Sequence, residues 1–285
     1  MSEIESVAVV GAGFMGTGIA EAVAVAGMPV ILRDVDEAAV GRAGERIDVS
    51  LARAVRGGKL SESDAGAARE RIDLTTSLDA IGQADLVVEA VPEDERLKLS
   101  VMEAIDGVVS DGAVVASNTS SIPIAELAQA VSQPERVLGL HFFSPVPVMN
   151  LVEVVVALDT NEETVTRSRR FVERLGKRPI ETKDRSGFIV NMLLVPYLMA
   201  AVRMYEEGFA SREDIDNGMK LGCGHPMGPL TLCDFIGLDV LYAVCDSLYE
   251  EFKRDEYAPP PLMKRMVASG RLGRKSGRGF YDYTS

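Results

Sequence analysis

The chain has 285 residues, 47% of them hydrophobic, and a formal charge of −13. That is enough apolar material for a full core and two domains, while the acidic balance argues against a nucleic-acid partner, whose phosphates need a basic face. A membrane span needs about 18 uncharged apolar residues; the nearest candidate, Phe188 to Val202, is interrupted by Asn191 and Pro196, and no basic targeting segment precedes the first strand, so a cytoplasmic protein is expected.

The first half alternates strands and helices. An apolar strand, Ser6 to Val10, runs into Gly11-Ala12-Gly13-Phe14-Met15-Gly16, followed by a helix to about Gly27 and a second strand, Pro29 to Arg33, that ends at Asp34. Each part has a physical task. Gly11 makes the tight turn, Gly13 lets a pyrophosphate reach the backbone, and Gly16 lets the helix pack close to the strand. The helix N-terminus offers unpaired N–H groups to the phosphates. Asp34 is placed to accept from the adenosine ribose, and its charge would repel a 2′-phosphate, which favours NAD over NADP.

A long polar helix is expected from about Asp36 to Arg56. Asp85 to Ala90 and Ala113 to Ser117 are short apolar runs suited to strands buried on both faces. Glu93 to Val109 between them has helical periodicity. Val137 to His141 and Leu151 to Val156 read as strands, Glu162 to Leu175 as a helix capped by Gly176, and Pro179 to Glu181 as the last strand. Beyond Ser186 the pattern is helical throughout, over Phe188–Glu207, Arg212–Leu221, Thr231–Phe252 and Pro261–Ser269. The expected architecture is therefore α/β: a Rossmann-type, doubly wound, mostly parallel sheet over 1–186, then a smaller all-helical domain over 187–285. Helices apolar over most of their circumference need covering, which predicts a homodimer through that second domain. Cys223, Cys233 and Cys245 lack metal-ligand spacing and read as small buried hydrophobes in a reducing compartment.

Only two histidines are present, His141 and His225. His141 ends a strand, and in open α/β sheets those ends face the ligand crevice. Glu153 is an acid inside the apolar strand Leu151–Val156, where a lone buried carboxylate costs several kcal/mol. A His141–Glu153 pair, with the carboxylate fixing the imidazole tautomer, would make a general base. An edge-strand Glu153 facing solvent beside a satisfied core histidine is the competing reading. Asn118-Thr119-Ser120-Ser121 occupies another strand end, where Ser120 could serve a ligand or cap the helix marked by Pro123. Asn191 in an apolar helix needs a ligand or a local partner. His225 lies in a Gly/Pro loop and reads as structural.

These motifs occur in a fixed order with Gly139-Leu140-His141-Phe142-Phe143, Pro145-Val146-Pro147-Val148-Met149, Gly187-Phe188-Ile189-Val190-Asn191, Pro226-Met227-Gly228-Pro229 and Gly273-Arg274-Lys275-Ser276-Gly277-Arg278-Gly279-Phe280-Tyr281. Together they resemble the L-3-hydroxyacyl-CoA dehydrogenases over nearly the whole chain, at the length of the short bacterial enzymes acting on 3-hydroxybutyryl-CoA. The resemblance implies NAD as cofactor, an acyl-CoA substrate, His141 and Glu153 as the base pair, and Ser120 and Asn191 on the substrate oxygen. It places Asp34 on the ribose, Glu93 and Lys98 near the nicotinamide end, and Lys275 at the dinucleotide site, within one chain or across a dimer. The family commonly has Asn after the two phenylalanines; Ser144 takes that cofactor-site position here with a shorter side chain.

Coenzyme A is polyanionic, so an acidic protein needs a local basic patch for it. Arg42, Arg46, Arg53 and Arg56 lie near one face of the long polar helix, with Lys59 beyond. Ser50, Arg53 and Lys59 are the candidate CoA contacts, against the plainer reading of a solvated basic face. Two alternatives share the fold: a β-hydroxyacid dehydrogenase with no CoA handle, and a dinucleotide-binding protein without turnover.

Overall fold

The computed structural model describes residues 3–284. The chain divides into two compact units, up to Arg185 and from Ser186 on.

The first unit is a Rossmann-type sheet built from β1 (Val7–Val10), β2 (Val30–Arg33), β3 (Ile72–Thr75), β4 (Leu86–Glu89), β5 (Val114–Ser117), β6 (Val137–Phe142), β7 (Leu151–Val156) and β8 (Arg178–Lys183). The strand order is β3-β2-β1-β4-β5-β6-β7-β8. All neighbours pair parallel except β6 and β7. The order reverses at β1, whose neighbours are β2 and β4, and that is where such sheets bind ligands. Its helices are α1 (Phe14–Val25), α2 (Glu37–Arg56), α3 (Glu62–Glu70), α4 (Glu95–Asp106), α5 (Ile124–Ala128) and α6 (Glu162–Arg174). In α2 the buried residues are Val40, Ala43, Gly44, Ile47 and Leu51, the stripe of a helix laid on a core.

Two elements of this unit carry weak sequence signals. α3 is short and polar, and β3 is an edge strand with Asp73 exposed within it. Of the two readings of Ser120, the helix cap does not hold: α5 is capped by Asp184, whose carboxylate accepts from the N–H groups of Ile124 (2.8 Å) and Ala125 (2.7 Å).

The second unit contains α7 (Val190–Glu206), α8 (Arg212–Cys223), α9 (Pro229–Ile236), α10 (Leu238–Phe252) and α11 (Pro261–Ala268). The single helix expected over Thr231–Phe252 is two helices. Gly237 breaks it at φ +101°, a left-handed value that side chains rarely adopt, and the N–H of Leu238 turns to the carbonyl of Leu272. Cys233 and Cys245 are buried, but Cys223 is exposed at the end of α8, which corrects its reading as a core residue. Burial pushes the Cys245 thiol up to about 12. His225 meets the Tyr197 hydroxyl at 3.2 Å. No helix is long and apolar enough to cross a membrane among the described residues.

The glycine turn has two kinds of glycine. A Cβ on Gly16 would lie 1.9 Å from the Gly11 carbonyl oxygen, whereas one on Gly13 would meet nothing within 4 Å. Gly16→Ala is therefore expected to lower stability by at least about 1–3 kcal/mol. Gly13→Ala should stay within about 0.5 kcal/mol of wild type. Urea midpoints of the two variants test the contrast.

Candidate active site

Three neighbouring strands end on the same side of the sheet with polar groups: β4 at Glu89, β5 at Ser117 and β6 beyond His141. β7 runs back beside β6 with His141 directly opposite Glu153. Facing positions of this kind bring side chains within reach. The ring Nδ1 and the Glu153 carboxylate are 2.6 Å apart, with His141 at 7% exposure and Glu153 at zero. An ionised Glu153 requires Nδ1 to carry the proton, which leaves Nε2 as the basic nitrogen. Phe143 packs on the imidazole with ring centroids 4.6 Å apart.

Glu93 organises the neighbouring strand end. One of its oxygens accepts from the hydroxyl of Thr119 (2.6 Å), the N–H and hydroxyl of Ser120 (2.9 and 3.3 Å) and the N–H and hydroxyl of Ser121 (3.1 and 2.9 Å). Its other oxygen faces the Lys98 ammonium at 3.4 Å. Burial pushes this carboxyl up, but the Lys98 charge and the hydrogen bonds more than offset it and hold the group below its usual value. Asn118 joins two strand ends by accepting from the N–H of Phe142 at 3.0 Å.

Lys98 is turned inward, at 1% exposure. It donates to both oxygens of Glu89 (2.8 and 3.0 Å) and to the carbonyl of Val91 (3.2 Å). Glu89 also accepts from the Ser117 hydroxyl at 2.6 Å. This support beneath Ser120 went unread in the sequence, although Glu89 in an apolar strand is the same signal that exposed Glu153. Lys177 was missed as well. Its ammonium donates to the carbonyls of Val146 and Met149, each at 2.7 Å, and clamps the loop between β6 and β7; burial lowers its pKa. Ser144, in that loop, is exposed.

The glycine turn suits a dinucleotide on three counts. The space over Gly13 is open. Among the long helices of this unit α1 is the one without a side-chain cap, so its first N–H groups remain for an anion. Asp34 accepts from the N–H groups of Ala12 (2.7 Å) and Asp36 (3.2 Å), which fixes its carboxylate at the end of β2 beside the turn.

The CoA candidates are less uniform. The Ser50 hydroxyl donates to Glu21 at 2.8 Å, and burial raises the pKa of that carboxyl. Arg53 and Lys59 are exposed, and Arg42 pairs with Asp36 at 3.3 Å. In the second unit the helix expected from Phe188 begins at Val190, so Asn191 lies in the first turn of α7, and it is half-buried. Lys275 pairs with Asp239 at 2.6 Å.

Residues 6–185 match the family model for the NAD-binding domain of 3-hydroxyacyl-CoA dehydrogenase, and residues 187–283 match that for its C-terminal domain. The chain belongs to the 3-hydroxyacyl-CoA dehydrogenase family. A 3-hydroxybutyryl-CoA dehydrogenase of Mycobacterium tuberculosis is 51% identical over 282 residues, covering 98% of this chain and 99% of the relative. The crystal structure of M. tuberculosis FadB2 superposes with a TM-score of 0.98 at 51% identity, covering 99% of this chain and all of that one. That of the (S)-3-hydroxybutyryl-CoA dehydrogenase PaaH1 from Ralstonia eutropha gives 0.95 at 46% identity, with coverage of 99% and 100%. As a 3-hydroxyacyl-CoA dehydrogenase family member the chain is an NAD-dependent oxidoreductase, with the open glycine turn in its NAD-binding domain.

The charge balance at Glu93 predicts a pH effect. Its lowered folded-state pKa means that its ionised form adds stability above the unfolded carboxylate range, lost as pH falls through the folded value. In Lys98→Met the burial effect is opposed only by hydrogen bonds, so Glu93 should titrate at higher pH than in wild type. Carbon-13 NMR of the Glu93 carboxyl would show this shift; an unchanged or lower titration would contradict the balance described.

Proposed function

We propose that the protein catalyses the reversible oxidation of short-chain (3S)-3-hydroxyacyl-CoA, 3-hydroxybutyryl-CoA among them, to the 3-ketoacyl-CoA with NAD+. The supporting observation is the His141–Glu153 pair on adjoining strands of a sheet whose glycine turn is open for a dinucleotide. The M. tuberculosis enzyme and PaaH1 are 3-hydroxybutyryl-CoA dehydrogenases by name, which supports a short acyl chain.

When bound, NAD+ supplies the two-electron acceptor for the hydrogen on C3. His141 removes the hydroxyl proton through Nε2, and Glu153 stabilises the imidazolium that results. Such general-base help is worth about 10²–10⁴ in rate. Ser120, held by Glu93 through both its N–H and its hydroxyl, orients the reacting oxygen, and Asn191 contributes its amide to the same task. Asp34 takes the adenosine ribose. The remaining assignments are Glu93, Lys98, Ser144 and Lys275 to the dinucleotide site, with Lys98 acting from beneath through Glu93. Ser50, Arg53 and Lys59 line the path for CoA.

The protein works in the cytoplasm as a homodimer. Leu193, Phe209 and Leu221 of the second unit are 73%, 77% and 84% exposed, the kind of apolar surface a partner copy covers. Sedimentation equilibrium at micromolar concentration should give twice the chain mass; a folded, active monomer would contradict the dimer.

Absorbance at 340 nm with acetoacetyl-CoA should show rapid NADH oxidation that needs the CoA handle, with NADPH and free acetoacetate poor substitutes. His141→Ala should lower kcat/KM by about 10²–10⁴ with little change in melting temperature. Equal turnover of free acetoacetate would favour the small-acid reading. NADH binding without turnover of any substrate would favour the non-catalytic one.

A further inference from the structure

Arg46 differs from two neighbouring arginines in its partners. Arg42, one turn earlier on α2, pairs with Asp36, and Arg69 pairs with Asp48 at 2.7 Å. Arg46 instead reaches across to the glycine turn, where its Nη1 donates to the carbonyl of Ala12 at 3.4 Å. Among the described residues it forms no salt bridge. A neutral carbonyl cancels none of its charge, and a guanidinium has five N–H groups, so most of its donors remain available. The side chain is exposed, and the carbonyl that holds it also accepts from the Thr17 hydroxyl at 3.3 Å. The N–H of the same Ala12 is tied to Asp34. One residue of the turn is therefore gripped on one side by the candidate ribose-binding carboxylate and on the other by an uncompensated guanidinium.

In a chain of charge −13, leaving one arginine without a carboxylate beside an open anion cradle is a local reversal of the field. We propose that Arg46 is a phosphate-binding residue of the adenosine end of the site, taking a nucleotide phosphate with its free N–H groups. Planar guanidinium groups match phosphate oxygens in pairs, which a lysine cannot do. Two sources of that phosphate meet here: the pyrophosphate of the dinucleotide on the N-terminus of α1, and the phosphates of CoA along the face of α2 that carries Ser50. The assignment rests on the dinucleotide and CoA readings given above.

The test is binding, not turnover. Kd values for NADH by fluorescence and for CoA and dephospho-CoA by calorimetry would be compared in wild type, Arg46→Ala and Arg46→Lys. Arg46 lies on an exposed helix face, and melting curves would confirm that the variants fold. A loss of about tenfold or more for NADH in Arg46→Ala, partly restored in Arg46→Lys, assigns the guanidinium to the dinucleotide. The same loss for CoA assigns it to CoA, and to the 3′-phosphate if dephospho-CoA is unaffected. Affinities for NADH and CoA both within twofold of wild type would overturn the role of Arg46. Wild-type protein that binds neither ligand would overturn the proposed function itself.

Discussion

A carboxylate with no exposure to water stays ionised only where the protein supplies donors or a cation, because desolvation costs several kcal/mol. The first unit contains two such groups in strands, Glu89 and Glu153, both at zero exposure. Around each the sheet has assembled a partner: the Lys98 ammonium with the Ser117 hydroxyl for one, the His141 ring for the other. The polar ends of β4, β5, β6 and β7 are thus linked by the need to satisfy two buried charges. The position of the imidazole follows from that need.

The arrangement separates support from reaction. Glu89 and Lys98 are fully enclosed and reach the turn after β5 by two routes: Lys98 faces Glu93, which gathers Thr119, Ser120 and Ser121, and Glu89 holds the Ser117 hydroxyl, which accepts from the N–H of Thr119. Groups held from below in this way lose little rotamer freedom when a ligand arrives, so less of the binding energy goes into ordering them. Lys177 does for the loop after β6 what Lys98 does for the turn after β4: a buried ammonium replaces water at backbone carbonyls, those of Val146 and Met149 in one case and that of Val91 in the other.

Much of this was legible in the residues. The glycine turn, the acid ending β2 and the apolar strands have short-range signatures, and they place a Rossmann-type sheet without any knowledge of its packing. The His141–Glu153 pair was readable because a lone acid in an apolar strand demands a partner and few histidines compete for it. Other features depend on contacts distant in sequence. Ser120 looks like a helix cap, yet Asp184 caps that helix from 60 residues away. Thr231–Phe252 looks like one helix, yet Gly237 breaks it where the backbone near Leu272 crosses. The resemblance places Lys98 near the nicotinamide end, and only the burial of Glu89 shows why its side chain faces inward. Cys223 has the composition of a core residue and the position of a surface one.

The antiparallel turn between β6 and β7 has a consequence for how the protein is made. Every other neighbouring pair of strands is parallel and needs a crossover, which closes long loops and slows assembly. His141 and Glu153 are joined by a short connection, and short loops close at small entropic cost. Both are already synthesised before any of the helical unit that begins at Ser186. On a ribosome, His141 and Glu153 can meet as a hairpin before the helical unit is made, so their union is an early local event rather than the last result of global folding.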